Sequence, residues 1–305
     1  MTTSPGTEDR AVGALLGLAT GDAVGTTLEF TQRDTQPPLT DMLGGGPFDL
    51  KPGQWTDDTA MALALGNSLA AGDHFDPEDC MMRFVNWYRS GAYSCTGNCF
   101  DIGGATRAAL QRFERDGNPF AGSNHPDSAG NGSLMRLSPV AIWGARRGED
   151  KVAEVARLQS GLTHDAPECI AACEGFAVLT ARAILGLSRT EVLAPSAFEG
   201  PPRIVEIFAG SWREKSREQI ESSGYVAHSL EAALWSIGNT GSFEEAVLLA
   251  ANLGDDADTV AAITGQLAGA IYGASRIPDQ WRARLAWHDE IEQLALALLG
   301  ERDSD

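Results

Sequence analysis

The chain has 305 residues, with 23 Lys+Arg against 42 Asp+Glu and a formal net charge of −19. A surface of that sign repels phosphate backbones and no basic run overrides it locally, which argues against nucleic acid as the main partner. At 43% hydrophobic and 21% charged residues, the composition is that of a globular chain with a sizeable core and not of one disordered throughout.

The first predicted helix, residues 11–18, carries Gly13 and Gly17, with Gly21 just beyond, and small residues at that spacing suit close helix packing. Glu8 and Asp9 sit beside Arg10 ahead of it and spoil the positive start of a signal peptide. No uninterrupted run of about 18 apolar residues occurs, so a membrane span is not expected. Glu29 follows Gly21-Asp22-Ala23-Val24-Gly25, a carboxylate among apolar and Gly neighbours. A long loop, 31–54, then leads into Thr56-Asp57-Asp58-Thr59 at the start of an Ala-rich helix, 59–71. Helices are predicted at Pro77–Ser90 and at 105–115, with Asp101 between them in Phe100-Asp101-Ile102-Gly103-Gly104. A second long loop, 117–133, closes on Gly130-Asn131-Gly132-Ser133, with Arg136 nearby.

Helix 151–160 precedes His164, and helix 168–187 shows one apolar face through Ile170, Cys173, Ala177, Ala181 and Ile184. After a third loop, 188–202, helices are predicted at 203–222, 226–237 and 243–252, with Tyr225 at the junction of the first two. Asp255-Asp256-Ala257-Asp258-Thr259 opens helix 259–274, which repeats small residues at Gly265, Gly269 and Gly273. A last helix, 279–299, precedes a polar tail, and residues 1–9 and 301–305 are expected to fray. Period-two alternation and β-branched runs are scarce, so the fold class is all-α. The five cysteines (Cys80, Cys95, Cys99, Cys169, Cys173) are odd in number and lack CxxC spacing. They read as small buried hydrophobes in a reducing cytoplasm, where the chain is expected to reside.

The two Asp/Thr clusters carry the sharpest chemical signal. Each stands just before an Ala-rich helix, where one Asp or Thr could cap the first-turn N–H groups. Capping needs one such residue, and several packed carboxylates repel one another unless a cation neutralises them. Hard oxygen ligands select Mg²⁺, Mn²⁺ or Ca²⁺, and two clusters meeting in space would suit a dinuclear centre. Capping and metal binding both stay open on spacing alone. Neither cluster fits an EF-hand loop or DDxxD. Gly130–Ser133 could converge N–H groups on an anion, with the Ser hydroxyl and Arg136 nearby, or could be a plain turn before a helix. Glu29 and Asp101 read either as working carboxylates or as hydrogen-bonded acids. His164 and Tyr225 read either as site residues or as structural side chains. Walker A, GxGxxG and GxSxG patterns are missing, which removes the usual support for P-loop, dinucleotide and serine-esterase chemistry.

Taken in order, seven stretches resemble the ADP-ribosylglycohydrolase family, which includes the dinitrogenase reductase-activating glycohydrolase and the ADP-ribosyl-acceptor hydrolases. They are residues 13–29 (GALLGLATGDAVGTTLE), 53–64 (GQWTDDTAMALA), 99–103 (CFDIG), 130–136 (GNGSLMR), 162–164, 224–235 (GYVAHSLEAALW) and 252–265 (NLGDDADTVAAITG). The resemblance implies a compact, single-domain, orthogonal helical bundle with two divalent cations, Mg²⁺ or Mn²⁺, in a cleft. It implies Thr56, Asp57, Asp58, Asp256, Asp258 and Thr259 as metal ligands, and Gly130, Asn131, Gly132 and Ser133 around the diphosphate and ribose. His164 and Tyr225 would line the cleft, Asp101 would act as acid/base, and Glu29 as a gating or second acid/base group. The implied reaction is hydrolysis of the bond linking ADP-ribose to an acceptor, most often a protein arginine. A small-molecule conjugate as substrate and a non-catalytic ADP-ribose binder are the alternatives. Gly104 departs from the polar residue expected after Asp101-Ile102-Gly103. A monomer is expected.

Overall fold

The computed structural model describes residues 5–300. It contains fourteen α-helices: α1 Thr7–Gly25, α2 Asp57–Ala70, α3 Pro77–Ser90, α4 Gly104–Asp116, α5 Ser138–Gly144, α6 Glu149–Gly161, α7 Pro167–Ile184, α8 Arg189–Val192, α9 Pro202–Phe208, α10 Val226–Gly238, α11 Phe243–Ala251, α12 Ala257–Tyr272, α13 Asp279–Arg284 and α14 His288–Leu299. Extended pairing among the described residues is confined to three isolated bridges, so the all-α expectation holds.

Two helices form the axis on which the rest is assembled. Helix α1 runs against α12, and Gly13, Gly17, Gly21 and Gly25 face Gly269, Gly265, Ala261 and Ala257 in turn. At each of the four α1 positions a Cβ would fall inside the backbone of the opposite helix. The four-residue spacing on both helices lines one small face against the other, so the backbones pack closer than ordinary side chains allow. Residues rise along α1 as they fall along α12, so the pair is antiparallel. The end of α1 therefore lies beside the start of α12. Helices α7, α11 and α14 also pack on α1, and α2 packs against α3, α5 and α14.

The buried Arg10 locks the other end of the axis. Its Nη1 donates to the carbonyls of Ala183, Ala270 and Ile271, satisfying orphan acceptors at the C-terminal turns of α7 and α12. A segment of α1 and its extension, Thr7–Leu28, reaches a mean hydropathy of 1.3, long and apolar enough by length and composition to cross a membrane. In this fold 94% of that segment's 18-residue window is buried against protein.

Several predicted boundaries are corrected. Residues 7–9, expected to fray, form the first turn of α1, and Asp9 holds the backbone and hydroxyl of Ser275. The predicted tail 301–305 lies outside the described residues. Helix 203–222 ends at Phe208, because Gly210 takes φ +96 and Ser216 opens a separate single turn. Helix 279–299 breaks at Leu285–Trp287. There the Ala286 N–H donates to the Gly53 carbonyl, its carbonyl accepts from Trp55 Nε1, and Trp287 takes φ +59. That tertiary bond draws the break onto the loop leading to α2. Helix α5 went unread because its seven residues begin Ser138-Pro139, too short to show a period.

Candidate metal centre and substrate cleft

The α1–α12 packing decides which side chains meet. It brings Asp22, near the end of α1, beside the first turns of α2 and α12, and there Asp22 performs the capping. Its Oδ1 accepts from Thr56 N (2.9 Å) and Thr56 Oγ1 (3.0 Å), and its Oδ2 accepts from Thr59 N (3.0 Å) and Thr59 Oγ1 (2.6 Å). The N-cap Thr56 makes no capping bond of its own, and neither does Asp256 at the start of α12. A residue of another helix has taken over the cap of α2, so Asp57 and Asp58 are free of it. Sequence reading passed over Asp22; its place in Gly21-Asp22-Ala23 and four residues of small spacing on α1 were the available signal.

The freed oxygens crowd together. Thr56 Oγ1 lies 3.3 Å from both Asp58 Oδ2 and Asp258 Oδ2, and Thr259 Oγ1 lies 3.3 Å from Asp58 Oδ2. One oxygen each from Glu29, Asp101 and Asp258 falls within 4.8 Å of the others. Burial, reinforced by neighbouring carboxylates, drives Asp57, Asp58 and Asp258 well above the usual carboxylate range. Burial also raises Asp256, while the Asn131 side chain draws it back. Asp58 Oδ1, Asp258 Oδ1 and Glu29 Oε2 are buried with no hydrogen-bond partner. Orphaned, mutually repelling carboxylate oxygens beside two Thr hydroxyls form a hard-oxygen donor set that a divalent cation fits.

Three of the seven left-handed non-glycine residues among the described residues lie at this point. Asp101 takes φ +59, Asp255 φ +55 and Phe30 φ +55, left-handed values that cost about 1–3 kcal/mol each outside glycine. The Glu29 loop is tied down: Phe30 N donates to Asp255 O (2.7 Å) and Asp255 N donates to Thr31 O (2.8 Å). Burial and the charges of Asp258 and Asp101 push Glu29 up to about 11, whereas Asp101, raised mainly by burial, reaches about 7.

A cavity of about 390 Å³ opens over the cluster, lined by Glu29, Phe30, Asp57, Asp101, Thr106, Gly130–Gly132, His164, Gly224, Asp256 and Thr259, among others. A second, of about 550 Å³, adjoins it across Gly130 and Gly224 and is lined by Pro126, Asp127, Glu168 and Tyr225. Asn131 joins loop to cluster: its N–H donates to Gly224 O, and its Nδ2 donates to Asp256 Oδ2 (2.5 Å) and Ser229 Oγ (2.8 Å). Gly130 O accepts from Cys169 Sγ. Gly132 has no room for a side chain, since a Cβ would lie 2.7 Å from His164 Cε1. Tyr225 donates its hydroxyl to Glu168 Oε2 (2.6 Å) at the far cavity.

Two members of the loop motif turn elsewhere. The Ser133 side chain, expected at the diphosphate, is fully buried and bonds Ser160 Oγ (2.8 Å) while accepting from Cys173 Sγ. Arg136 is also fully buried, held by Gln159 and Thr163 under the ring of Phe84. Both follow from the tight turn at Leu134–Leu137, which sends this segment into the core. Among the cysteines, Cys80, Cys169 and Cys173 are buried as expected, but Cys95 and Cys99 are half-buried; all five are free. Phe30 and Gly224 line the cleft and were not singled out from sequence, having no chemistry of their own to mark them.

The family model described as ADP-ribosylglycohydrolase matches residues 3–305. ADP-ribosylarginine hydrolase Tri1 of Pseudomonas putida is 49% identical over 290 residues, covering 95% of this chain and 78% of that protein. The same-named protein of Serratia proteamaculans is 46% identical, covering 94% and 78%. A solved structure titled ADP-ribosylglycohydrolase-related protein complex superposes with a TM-score of 0.86 at 41% identity, covering 96% of this chain and 98% of that one.

Proposed function

The chain belongs to the ADP-ribosylglycohydrolase family, and from that membership we propose that it hydrolyses the glycosidic bond between ADP-ribose and an arginine side chain, with two divalent cations, Mg²⁺ or Mn²⁺, in its centre. The observation that carries this reading is the meeting of two carboxylate clusters that do not cap their own helices, Asp22 capping α2 in their place, at the floor of a two-chambered cleft. Thr56, Asp57, Asp58, Asp256, Asp258 and Thr259 would hold the cations. Cations held there would supply Lewis-acid chemistry, polarising substrate oxygens and lowering the pKa of water.

The chain's own residues supply the rest. Gly130 and Gly132 leave the loop backbone uncovered for the diphosphate, and the Asn131 side chain couples that loop to Asp256. His164 borders the loop, and Tyr225 with Glu168 lines the outer chamber. Cleaving the anomeric C–N bond builds positive charge on the sugar, which an acidic pocket stabilises. Glu29 and Asp101 divide the proton work. One of the two carboxyls protonates the departing guanidine and the other takes a proton from the attacking water. The five free cysteines suit a reducing, cytoplasmic site of action.

The test is release of ADP-ribose from an arginine-ADP-ribosylated protein and from free ADP-ribosylarginine, with Mg²⁺, with Mn²⁺ and with chelator. Metal-dependent release from the protein substrate is expected. Release from the small conjugate alone would move the substrate class, and release undiminished by chelator would refute the metal requirement.

A further inference from the structure

Thr163 and Arg136 do not line the cleft, yet they determine what His164 presents to it. Arg136 has only hydrogens to give: Nε to Gln159 Oε1 (3.0 Å), and Nη2 to Gln159 O (2.9 Å) and Thr163 Oγ1 (2.9 Å). Thr163 Oγ1 thus receives one hydrogen bond, and its other partner is His164 Nδ1 at 2.8 Å. Thr163 is 1% exposed, so its own hydroxyl hydrogen has to find an acceptor inside the protein. If Nδ1 carried a proton, that hydroxyl hydrogen would be left unpaired in the core, at the cost of burying an unsatisfied donor. With Nδ1 as acceptor, both bonds close and the imidazole proton sits on Nε2. That atom faces the glycine loop: a Cβ on Gly132 would lie 3.1 Å from it and one on Gly130 3.4 Å.

We infer that Thr163 is a positioning residue which, oriented by the buried Arg136, fixes His164 as the Nε2–H tautomer and aims a neutral donor at a substrate oxygen lying over Gly130–Gly132. This rests on the cleft being the ADP-ribose site. The oxygens of a diphosphate and of a ribose accept hydrogen bonds, whereas a bare Nε2 lone pair would repel a phosphate. Burial, with Arg136 alongside, holds His164 down to about 3, so the ring stays uncharged in neutral solution. The glycines at 130 and 132 then serve a second purpose, since they leave Nε2 uncovered.

Nitrogen-15 spectra of the imidazole in the substrate-free protein read the tautomer directly, and need no turnover. The expected result is a single Nε2–H species at pH 7; an Nδ1–H species or an imidazolium would overturn the proposal. Calorimetric titration of metal-loaded protein with ADP-ribose supplies the second reading. Thr163→Val, which keeps the volume and loses the hydroxyl, is expected to weaken binding about tenfold, the scale of one hydrogen bond. Thr163→Ser is expected to restore it. A folded Thr163→Val that binds ADP-ribose like the unsubstituted protein would also overturn the proposal. If the spectra and titrations come out as expected and no arginine-linked ADP-ribose is released, the proposed activity fails while the role of Thr163 stands.

Discussion

Thr56 Oγ1 stands within 3.3 Å of oxygens from Asp22, Asp58 and Asp258, and its single hydrogen can satisfy one of them. Asp22 has four donors of its own, two of them backbone N–H groups, so its burial is compensated and it reaches only about 6. Asp58 and Asp258 each keep an oxygen with no partner at all. The same residue type in one neighbourhood therefore serves as a cap at Asp22 and keeps an unpartnered oxygen at Asp58 and Asp258. Substituting Asp258→Asn removes one charge from a repelling set. In chelator the variant is expected to melt at or above the unsubstituted protein. With Mg²⁺ it should lose at least about 100-fold in ADP-ribose release. Unfolding of this variant with and without metal, seen as lost helicity in circular dichroism, would restore the capping role to Asp258.

At the scale of elements, the centre is a consequence of helix packing. Small residues four apart on α1 and α12 bring the two backbones together, and this places Asp22 against Thr56, whose Oγ1 also reaches Asp258. Gly21→Ala sets a methyl group into the Ala261 carbonyl and must spread the pair. Expected losses are about 1–3 kcal/mol of stability from overpacking and a lower affinity for Mg²⁺, measured by chemical denaturation and calorimetry. Unchanged metal affinity in the spread variant would show that the ligand set does not depend on the α1–α12 distance. The glycine and alanine spacing was legible in the sequence as close packing, as were the ends of α3, whose Asp76 cap and Gly91 terminator are local signals. What escaped was set by partners distant in the chain. Asp22 caps a helix 34 residues away through Thr56. Ala286 leaves its helix for Gly53. Ser133, in a motif that promised an exposed hydroxyl, is drawn inward by Ser160 and Cys173.

Over the whole molecule, the centre ties stability to pH and to metal. The buried carboxylates hold protons in the folded chain at pH values where the unfolded chain has lost them, Asp22 up to about 6 and Asp101 up to about 7, both chiefly through burial. Folded-state values raised in this way contribute stability to the metal-free protein that is fully present below about pH 4, the ordinary carboxylate range, and is eroded as pH climbs through 6 and 7. Surface carboxylates such as Glu114, bonded by Arg89, are held below their usual value and act beneath that window. In chelator the melting temperature is expected to fall between pH 5 and pH 8, and saturating Mg²⁺ to reverse the fall, because the cation binds the ionised form. A metal-free melting temperature that climbs over this range would contradict the buried-carboxylate reading.

The most direct measurement of the central claim, that the two clusters form one metal centre, is anomalous diffraction from crystals grown with Mn²⁺. Two manganese peaks are expected, coordinated by oxygens of Thr56, Asp57, Asp58, Asp256, Asp258 and Thr259 at the floor of the cleft. Manganese bound elsewhere, or these carboxylates found protonated and metal-free in crystals of protein that turns over, would contradict it.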